Sequence, residues 1–510
     1  MAYLLGVDIG TTGARALLIS ERGEVVGGAT EEYPLSTPRP QWAEQNPVDW
    51  WDGAVQAIHR LLAEVRIRPS EIKGVGLSGQ MHGVVLLDDA SQVLRPSIIW
   101  ADQRSQAQCD WITDRIGAER LIERTSNPAL TGFSAPKLLW VRDNEPRVFE
   151  KARKFLLPKD YIRFRLTGEF ASEVSDASGT SLFDVRNRRW AWDVVDDLGI
   201  DRGLLPRVHE SPEVTGRLTA EAAKATGLPQ GLPVVGGGGD QAAGAVGNGI
   251  VETGIVSSTI GTSGVVFAFT DEPKLDPKGR MQTFCHAVPG KWHVMGVTQG
   301  AGLSLRWFRD NFSATEMAVA GRTGIDAYEL LAREAEKAPA GCEGLLWLPY
   351  LMGERAPVLD PEARGVLFGV TARHDRRMVV RAVMEGVAYS LRDSLEIMRG
   401  EMNIPVSQVR ASGGGARSRL WRQIQADVFG TEMVTLQVTE GPAYGVALLA
   451  AVGIGIYGSV AEACRETIRV VERLQPDGSA RALYDRFYPV YTSLYPALEE
   501  RFHTVAQLVR

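Results

Sequence analysis

The pattern that most restricts this chain is a strand, a Gly-Thr-(Thr/Ser)-Gly turn and a returning strand, present twice about half a chain apart. Tyr3–Val7 reads as a short buried strand, followed by Asp8-Ile9-Gly10-Thr11-Thr12-Gly13 and a second strand over Ala14–Ile19. Ile255–Ile260, Gly261-Thr262-Ser263-Gly264 and Val265–Phe269 repeat the arrangement. A solenoid repeats every ~20–50 residues, so a repeat this long predicts two similar lobes, which we place at 1–245 and 246–510 of the 510 residues. After the first hairpin come a strand over Glu24–Gly28, a helix capped by Asn46 with Pro47 and Asp49 in its first turn, and a strand over Ile72–Ser78. That succession predicts an α/β layered domain. In the second half, Arg376–Arg399 has helical apolar spacing, Val409–Ser412 reads as a strand, and Ser418–Phe429 as a helix ended by Gly430.

Composition narrows the function. A net charge of −6 leaves no basic footprint for nucleic acid. Four scattered cysteines, Cys109, Cys285, Cys342 and Cys464, have neither metal-ligand spacing nor the density of a disulfide framework, which fits a reduced cytoplasm. Asp8 interrupts the short N-terminal apolar run, so neither a signal peptide nor a membrane segment is expected.

Four segments could carry chemistry. Each Gly-Thr turn, taken alone, is as well explained by a tight hairpin. Two of them, with an acid at the first, point to phosphate held by backbone N–H groups and threonine hydroxyls, with Asp8 placed to hold Mg²⁺. No P-loop is present, because no helix with Lys-Ser/Thr follows the glycines. Gly236–Gly239 leads from the apolar pair Val234-Val235 into Asp240, so something approaches this backbone closely; a flexible loop with a solvated acid is the competing reading. Ser412-Gly413-Gly414-Gly415-Ala416-Arg417-Ser418 lies between strand and helix, a ready anion site that a Rossmann-like fold would share. Gly79-Gln80-Met81-His82-Gly83 and Trp100-Ala101-Asp102-Gln103-Arg104 offer groups suited to a polyhydroxylated ligand. Spacing alone favours a core histidine at His82 and a surface ion pair at Asp102–Arg104.

In this order the segments resemble the FGGY carbohydrate kinases over nearly the whole chain. Asp8–Gly13, Ser134-Ala135-Pro136-Lys137-Leu138-Leu139-Trp140, Gly365–Gly386 and Gly413–Asp427 are similar to family signatures. Within the family, Gly79–Gly83, Leu157-Pro158-Lys159-Asp160-Tyr161, Thr167–Phe170 and Gly353-Glu354-Arg355 resemble the branch acting on D-xylulose. Gln241, Met378 and Tyr444 depart from the pattern; Gln241 bears on the sugar contacts and Tyr444 on packing near the adenine pocket.

The resemblance implies two ribonuclease-H-like, actin-like lobes facing a cleft, the first mainly sugar-binding and the second mainly ATP-binding. It implies transfer of phosphate from ATP to D-xylulose, giving D-xylulose 5-phosphate, with Asp240 as base. Gly10, Thr11, Thr12, Gly261, Thr262, Gly414, Gly415 and Ser418 would contact the nucleotide, and Asp8 the Mg²⁺. Met81, His82, Trp100, Asp102, Asp240 and Gln241 would contact the sugar. The family also permits a homodimer. The competing readings are a kinase for another polyol or sugar acid, an actin-like nucleotide switch and a Rossmann dehydrogenase.

Overall fold

The computed structural model describes residues 2–509, whose main strands form two seven-stranded mixed sheets. In the first, β1 (Tyr3–Ile9), β2 (Gly13–Ser20) and β3 (Val25–Glu32) make an antiparallel meander. Helix α1 (Pro47–Glu64) begins as the sequence predicts: Asn46 accepts the Val48 N–H at 3.1 Å, and Pro47 takes a position that needs no donor. The helix buries Trp50, Ala54, Ala57, Ile58 and Leu61 and leads to β4 (Ile72–Gly79), parallel to β1. An insertion follows that contains α2 (Ser134–Asn144) and α3 (Pro158–Thr167). The sheet is completed by β5 (Val214–Arg217), β6 (Pro233–Val235) and the two-residue β7 (Gly238–Gly239), beyond which α4 (Asp240–Gly247) starts.

The second sheet contains β8 (Gly254–Ile260), β9 (Gly264–Thr270), β10 (Gln282–Cys285) and β11 (Trp292–Thr298). After α5 (Arg376–Glu396) come β12 (Val406–Ser412), α6 (Arg419–Phe429), β13 (Glu432–Leu436), α7 (Gly441–Gly453) and β14 (Val470–Leu474).

The spatial orders are β5-β6-β4-β1-β2-β3 and β14-β13-β12-β8-β9-β11, with β10 added outside. Step by step, both run antiparallel, parallel, parallel, antiparallel, antiparallel. The repeat read from two turns is therefore a repeat of the whole sheet: two ribonuclease-H-like lobes around a cleft. Three spans differ from the sequence reading. The third strand lies at Val25–Glu32, β12 starts three residues earlier than expected, and α5 ends at Glu396, giving way to a π-helical turn over Ile397–Glu401 that ends near left-handed Asn403. Among the described residues no helix is long and apolar enough to cross a membrane.

The lobes exchange helices. α7 belongs to the second half of the chain and is apolar on all sides, and its main partners are β1, β4 and α4 of the first. Glycines set the approach: a Cβ at Gly6 would lie 1.9 Å from the Ala443 oxygen, and one at Gly445 1.9 Å from the Ala243 oxygen. Conversely, α4 leans on the second sheet, where Ala245 packs with Phe267 and Phe269.

Gly445→Ala is accordingly expected to force α4 and α7 apart and cost about 1–3 kcal/mol, lowering the thermal midpoint. Gly321→Ala, whose new Cβ would meet nothing within 4 Å, is the control and should not lower it.

Candidate active site between the two lobes

The floor of the cleft is the turn between β1 and β2. Pairing places Arg15 and Ser78 on either side of Asp8. The Asp8 Oδ1 atom is nevertheless buried with no hydrogen-bond partner. Burial raises its carboxyl to about 6, against the lowering effect of Ser78 and Arg15. The turn closes through Gly10 N–H to the Gly13 oxygen at 3.0 Å and is braced from behind. Gln80 donates to Gln45 Oε1 (2.7 Å), which also accepts Trp50 Nε1–H (3.2 Å), and Gln45 donates to the Thr11 carbonyl (2.8 Å). The Thr11 hydroxyl, expected on a phosphate, instead donates to Gln80 Oε1 (3.3 Å) and accepts Trp100 Nε1–H (2.9 Å). A hydroxyl has one proton, and this one is spent inside the brace. Thr12, at the tip, is exposed.

Asp240 opens α4 directly after the four glycines. What approaches that backbone is the protein itself: a Cβ at Gly237 would fall 1.9 Å from the Leu77 oxygen, and one at Gly239 2.8 Å from Met81 Cγ. The run is held from beneath by fully buried charges. Glu173 accepts the Ser175 hydroxyl (2.8 Å), Ser175 Oγ accepts the Gly239 N–H (3.1 Å), and Arg163 donates to the Gly236 oxygen (2.6 Å). Lys159 lies between Asp160 (2.6 Å), Asp176 (3.2 Å) and Glu173 (3.5 Å). Burial pushes Asp176 well above the carboxylate range, against the lowering effect of Lys159. Above this platform the Asp240 carboxyl is raised to about 7, by burial first and by the charge of Asp8 second.

The expected sugar loop leaves β4 beside Asp240. His82 takes a left-handed φ of 72°, stacks on Phe133 (4.7 Å between ring centres) and faces the Gly179 oxygen through Nδ1 at 2.7 Å. A carbonyl only accepts, so Nδ1 carries the proton and Nε2 is left as an acceptor. Burial, then Lys137, pushes the imidazole down to about 3 and keeps it neutral. Ser134 and Lys137, on the first turns of α2, each donate to the His82 carbonyl at 3.1 Å and hold the strained backbone. Met81 is buried between this loop and Gly239. Trp100 is exposed over the Thr11 turn, tethered to it by its indole N–H. Asp102 corrects the sequence reading: it is fully buried, and its oxygens are taken by the Ala43 N–H (2.6 Å) and the Arg104 guanidinium (2.6 Å). It shapes the loop and turns no oxygen to the cleft.

On the opposite wall, Gly302 and Leu303 N–H groups hold the Gly261 and Thr262 carbonyls (2.9 and 3.0 Å), leaving Gly261 and Thr262 exposed at the tip of the second turn. Next to it is a cavity of ≈ 580 Å³ lined by Asp240 and Gln241 from α4 and by Thr259, Ser412, Gly414 and Leu436 from the second lobe. That volume suits a nucleotide-sized ligand. The glycines at its rim serve different ends. Gly413 and Gly415 are crowded, each Cβ position lying 2.6 Å from Ile260, whereas Gly414 would meet nothing closer than 4.0 Å. Gly414 is where a ligand can reach the backbone; Gly415, expected beside it, is buried against β8. Ser418 is also corrected: its hydroxyl caps α6 at the Trp421 N–H (3.3 Å), and the cavity wall is made by Ala416 and Arg417. Tyr444 lies away from this pocket, fully buried in α7, donating to the Gly23 oxygen at 2.9 Å.

The site therefore joins a cavity of mixed polar and apolar lining, two exposed turns, two raised carboxyls and a neutral histidine acceptor, the layout for moving an anionic group onto a hydroxylated ligand. Gln45, Gln80, Lys137 and Ser175 were missed as positioning residues. The one signal was Lys137 inside an apolar run, since a buried lysine must have acceptors.

Comparison with known proteins agrees with this layout. Models of the FGGY family of carbohydrate kinases match residues 3–247 (N-terminal domain) and 256–454 (C-terminal domain). The xylulose kinase of Bacillus subtilis is 39% identical over 495 residues, covering 97% of either chain. That of Escherichia coli is 39% identical over 495 residues, covering 97% of this chain and 99% of the other. The crystal structure of a xyloylose kinase from Brucella ovis superposes with a TM-score of 0.89 at 36% identity, covering 98% of this chain and 99% of that one.

The facing carboxyls also set a pH dependence. Asp8 and Asp240 are raised in the fold to about 6 and about 7, above their ordinary value of 3.8. The folded chain thus binds more protons than the unfolded chain between about pH 4 and 7, and ligand-free stability falls as pH rises through that window. Asp240→Asn should raise the ligand-free thermal midpoint at pH 8 by about 2 °C or more, with the gain shrinking toward pH 4. Scanning calorimetry across that range checks it.

Proposed function

Because this chain belongs to the FGGY family of carbohydrate kinases, we propose that it transfers the γ-phosphoryl group of ATP to the terminal primary hydroxyl of D-xylulose, giving D-xylulose 5-phosphate and ADP. The observation that carries this reading is Asp240, a raised carboxyl where the ≈ 580 Å³ cavity meets the Met81–His82 loop.

ATP lies in the cavity with its phosphates toward Gly414 and the exposed tips of the two turns, at Gly10, Thr12, Gly261 and Thr262. The Thr12 and Thr262 N–H groups and hydroxyls donate to anionic oxygens, while the Gly10 and Gly261 N–H groups close their turns onto Gly13 and Ser263. The sugar occupies the space bounded by Met81, His82, Asp240 and Gln241, with His82 Nε2 accepting a hydroxyl proton. Asp240 takes the proton of the attacking hydroxyl as its oxygen bonds to the γ-phosphorus and the bond to ADP breaks. A carboxyl held near 7 is matched to that exchange at neutral pH. The unpartnered Asp8 oxygen fits Mg²⁺, which when bound neutralises charge on the phosphate oxygens; Asp8 would hold it directly or through water. Cleft closure excludes water and keeps ATP from being hydrolysed without sugar.

Asp240→Asn should lower kcat by about 10²- to 10⁴-fold without lowering the thermal midpoint. Sugar-dependent ADP release should be fastest, per unit kcat/KM, with D-xylulose among D-xylulose, L-ribulose, D-ribulose, glycerol, gluconate and erythritol. Another winner would retain the kinase chemistry and overturn the sugar assignment. Absence of any sugar-stimulated release would leave the nucleotide-switch reading.

A further inference from the structure

Arg355 is not used by anything described so far, yet its setting is unusual. Among the described residues it is the one arginine withdrawn from solvent whose guanidinium has no hydrogen-bond, ion-pair or ring partner. Burial holds its guanidinium below the ordinary value, only partly opposed by Glu354. A guanidinium has five donors and no acceptor, so leaving them without partners in a part-buried position is costly.

Its backbone is held in place. Glu354 Oε1 accepts both the Arg355 N–H and the Gln299 N–H at 2.7 Å. The Ala356 N–H reaches the Val297 oxygen at 3.0 Å, and the Leu359 N–H the Arg355 oxygen at 2.6 Å. Val297 and Thr298 end β11, where they pair with Val265 and Gly264 at the base of the second turn. The anchor is thus at the cleft end of the second lobe. From there the charge of Arg355 reaches His82, adding to the effects that keep its imidazole neutral. Phe284 of β10, also second-lobe, comes within 6.4 Å of the same ring.

We propose that Arg355 is the second lobe's contact to the sugar, donating to its acceptor oxygens opposite the His82 acceptor and coupling sugar occupancy to cleft closure. This rests on the kinase reading above and adds to it a residue from the other lobe. The chemistry is complementary: His82 Nε2 takes a hydroxyl proton, and Arg355 supplies the donors that a ketone or a second hydroxyl oxygen needs. Since the two groups belong to different lobes, a ligand that satisfies both stabilises the closed cleft, which the open enzyme lacks reason to adopt.

The test is steady-state kinetics of Arg355→Ala and Arg355→Lys, with the sugar selected by the wild-type panel and ATP varied separately. Loss of a charge-assisted hydrogen bond should raise KM for the sugar by about 10- to 100-fold, with KM for ATP changed less than about threefold. Arg355→Lys should recover part of the loss, and added ethylguanidinium should partly rescue Arg355→Ala. The thermal midpoint identifies a variant that fails to fold, in which case Arg355→Lys decides. An unchanged KM for sugar in a folded variant overturns this inference alone. A wild-type enzyme that no sugar stimulates overturns it together with the kinase reading.

Discussion

The contact on which the rest depends is between two backbones. α4 and α7 cross where a side chain on either would collide with the other: a Cβ at Gly247 would be 2.2 Å from the Gly441 oxygen, and one at Gly445 1.9 Å from the Ala243 oxygen. α4 starts in the first sheet at Asp240 and packs on the second, while α7 leaves the second sheet and packs on the first. The lobes are therefore joined by a crossing, and the base of the proposed reaction is the first residue of one crossing helix. Motion of the lobes must bend or slide this contact, because close-packed interiors do not stretch. Arg15 and Glu440 form an ion pair across the lobes nearby, with Nε 2.8 Å from Oε2.

Electrostatics follows from that placement. Burial raises both Asp8 and Asp240, and the charge of Asp8 adds to the effect on Asp240. Lys159 and Arg163, in the platform that holds the glycine run, are paired with Asp160, Asp176 and Glu173 within it. Asp8 and Asp240 are where a cation and a transferring phosphoryl group would meet the site's carboxyls. A carboxylate pair left this way destabilises the ligand-free protein, a common cost of a preorganised site.

The arrangement separates recognition from support. Residues behind the candidate site have saturated their own hydrogen bonds: Gln45 and Gln80 behind the first turn, Lys137 and Ser134 behind His82, Ser175 and Glu173 behind Gly239. Asp102 and Thr11 belong to this support although their chemistry suits a ligand equally well. Residue type does not distinguish the two roles; the number of partners already engaged does.

Local patterns were sufficient for what depends on local geometry. The Asn46–Pro47 cap and the Gly430 stop read correctly, because capping is decided within one turn of chain. The paired Gly-Thr turns disclosed two lobes, because each is a hairpin whose strands are adjacent in sequence. The sequence also singled out Asp8, Met81, His82, Asp240 and Gly414 as candidates, through motifs a few residues long. Only tertiary structure separated Gly414 from Gly415, took Ser418 and Asp102 out of the site, moved Tyr444 to the lobe crossing and exposed the unpartnered Arg355. Those outcomes turn on contacts between residues tens to hundreds of positions apart, such as Gly415 with Ile260 and Tyr444 with Gly23. Whether a polar group is free for a ligand depends on which distant partner reaches it first, and a linear pattern carries no information about that.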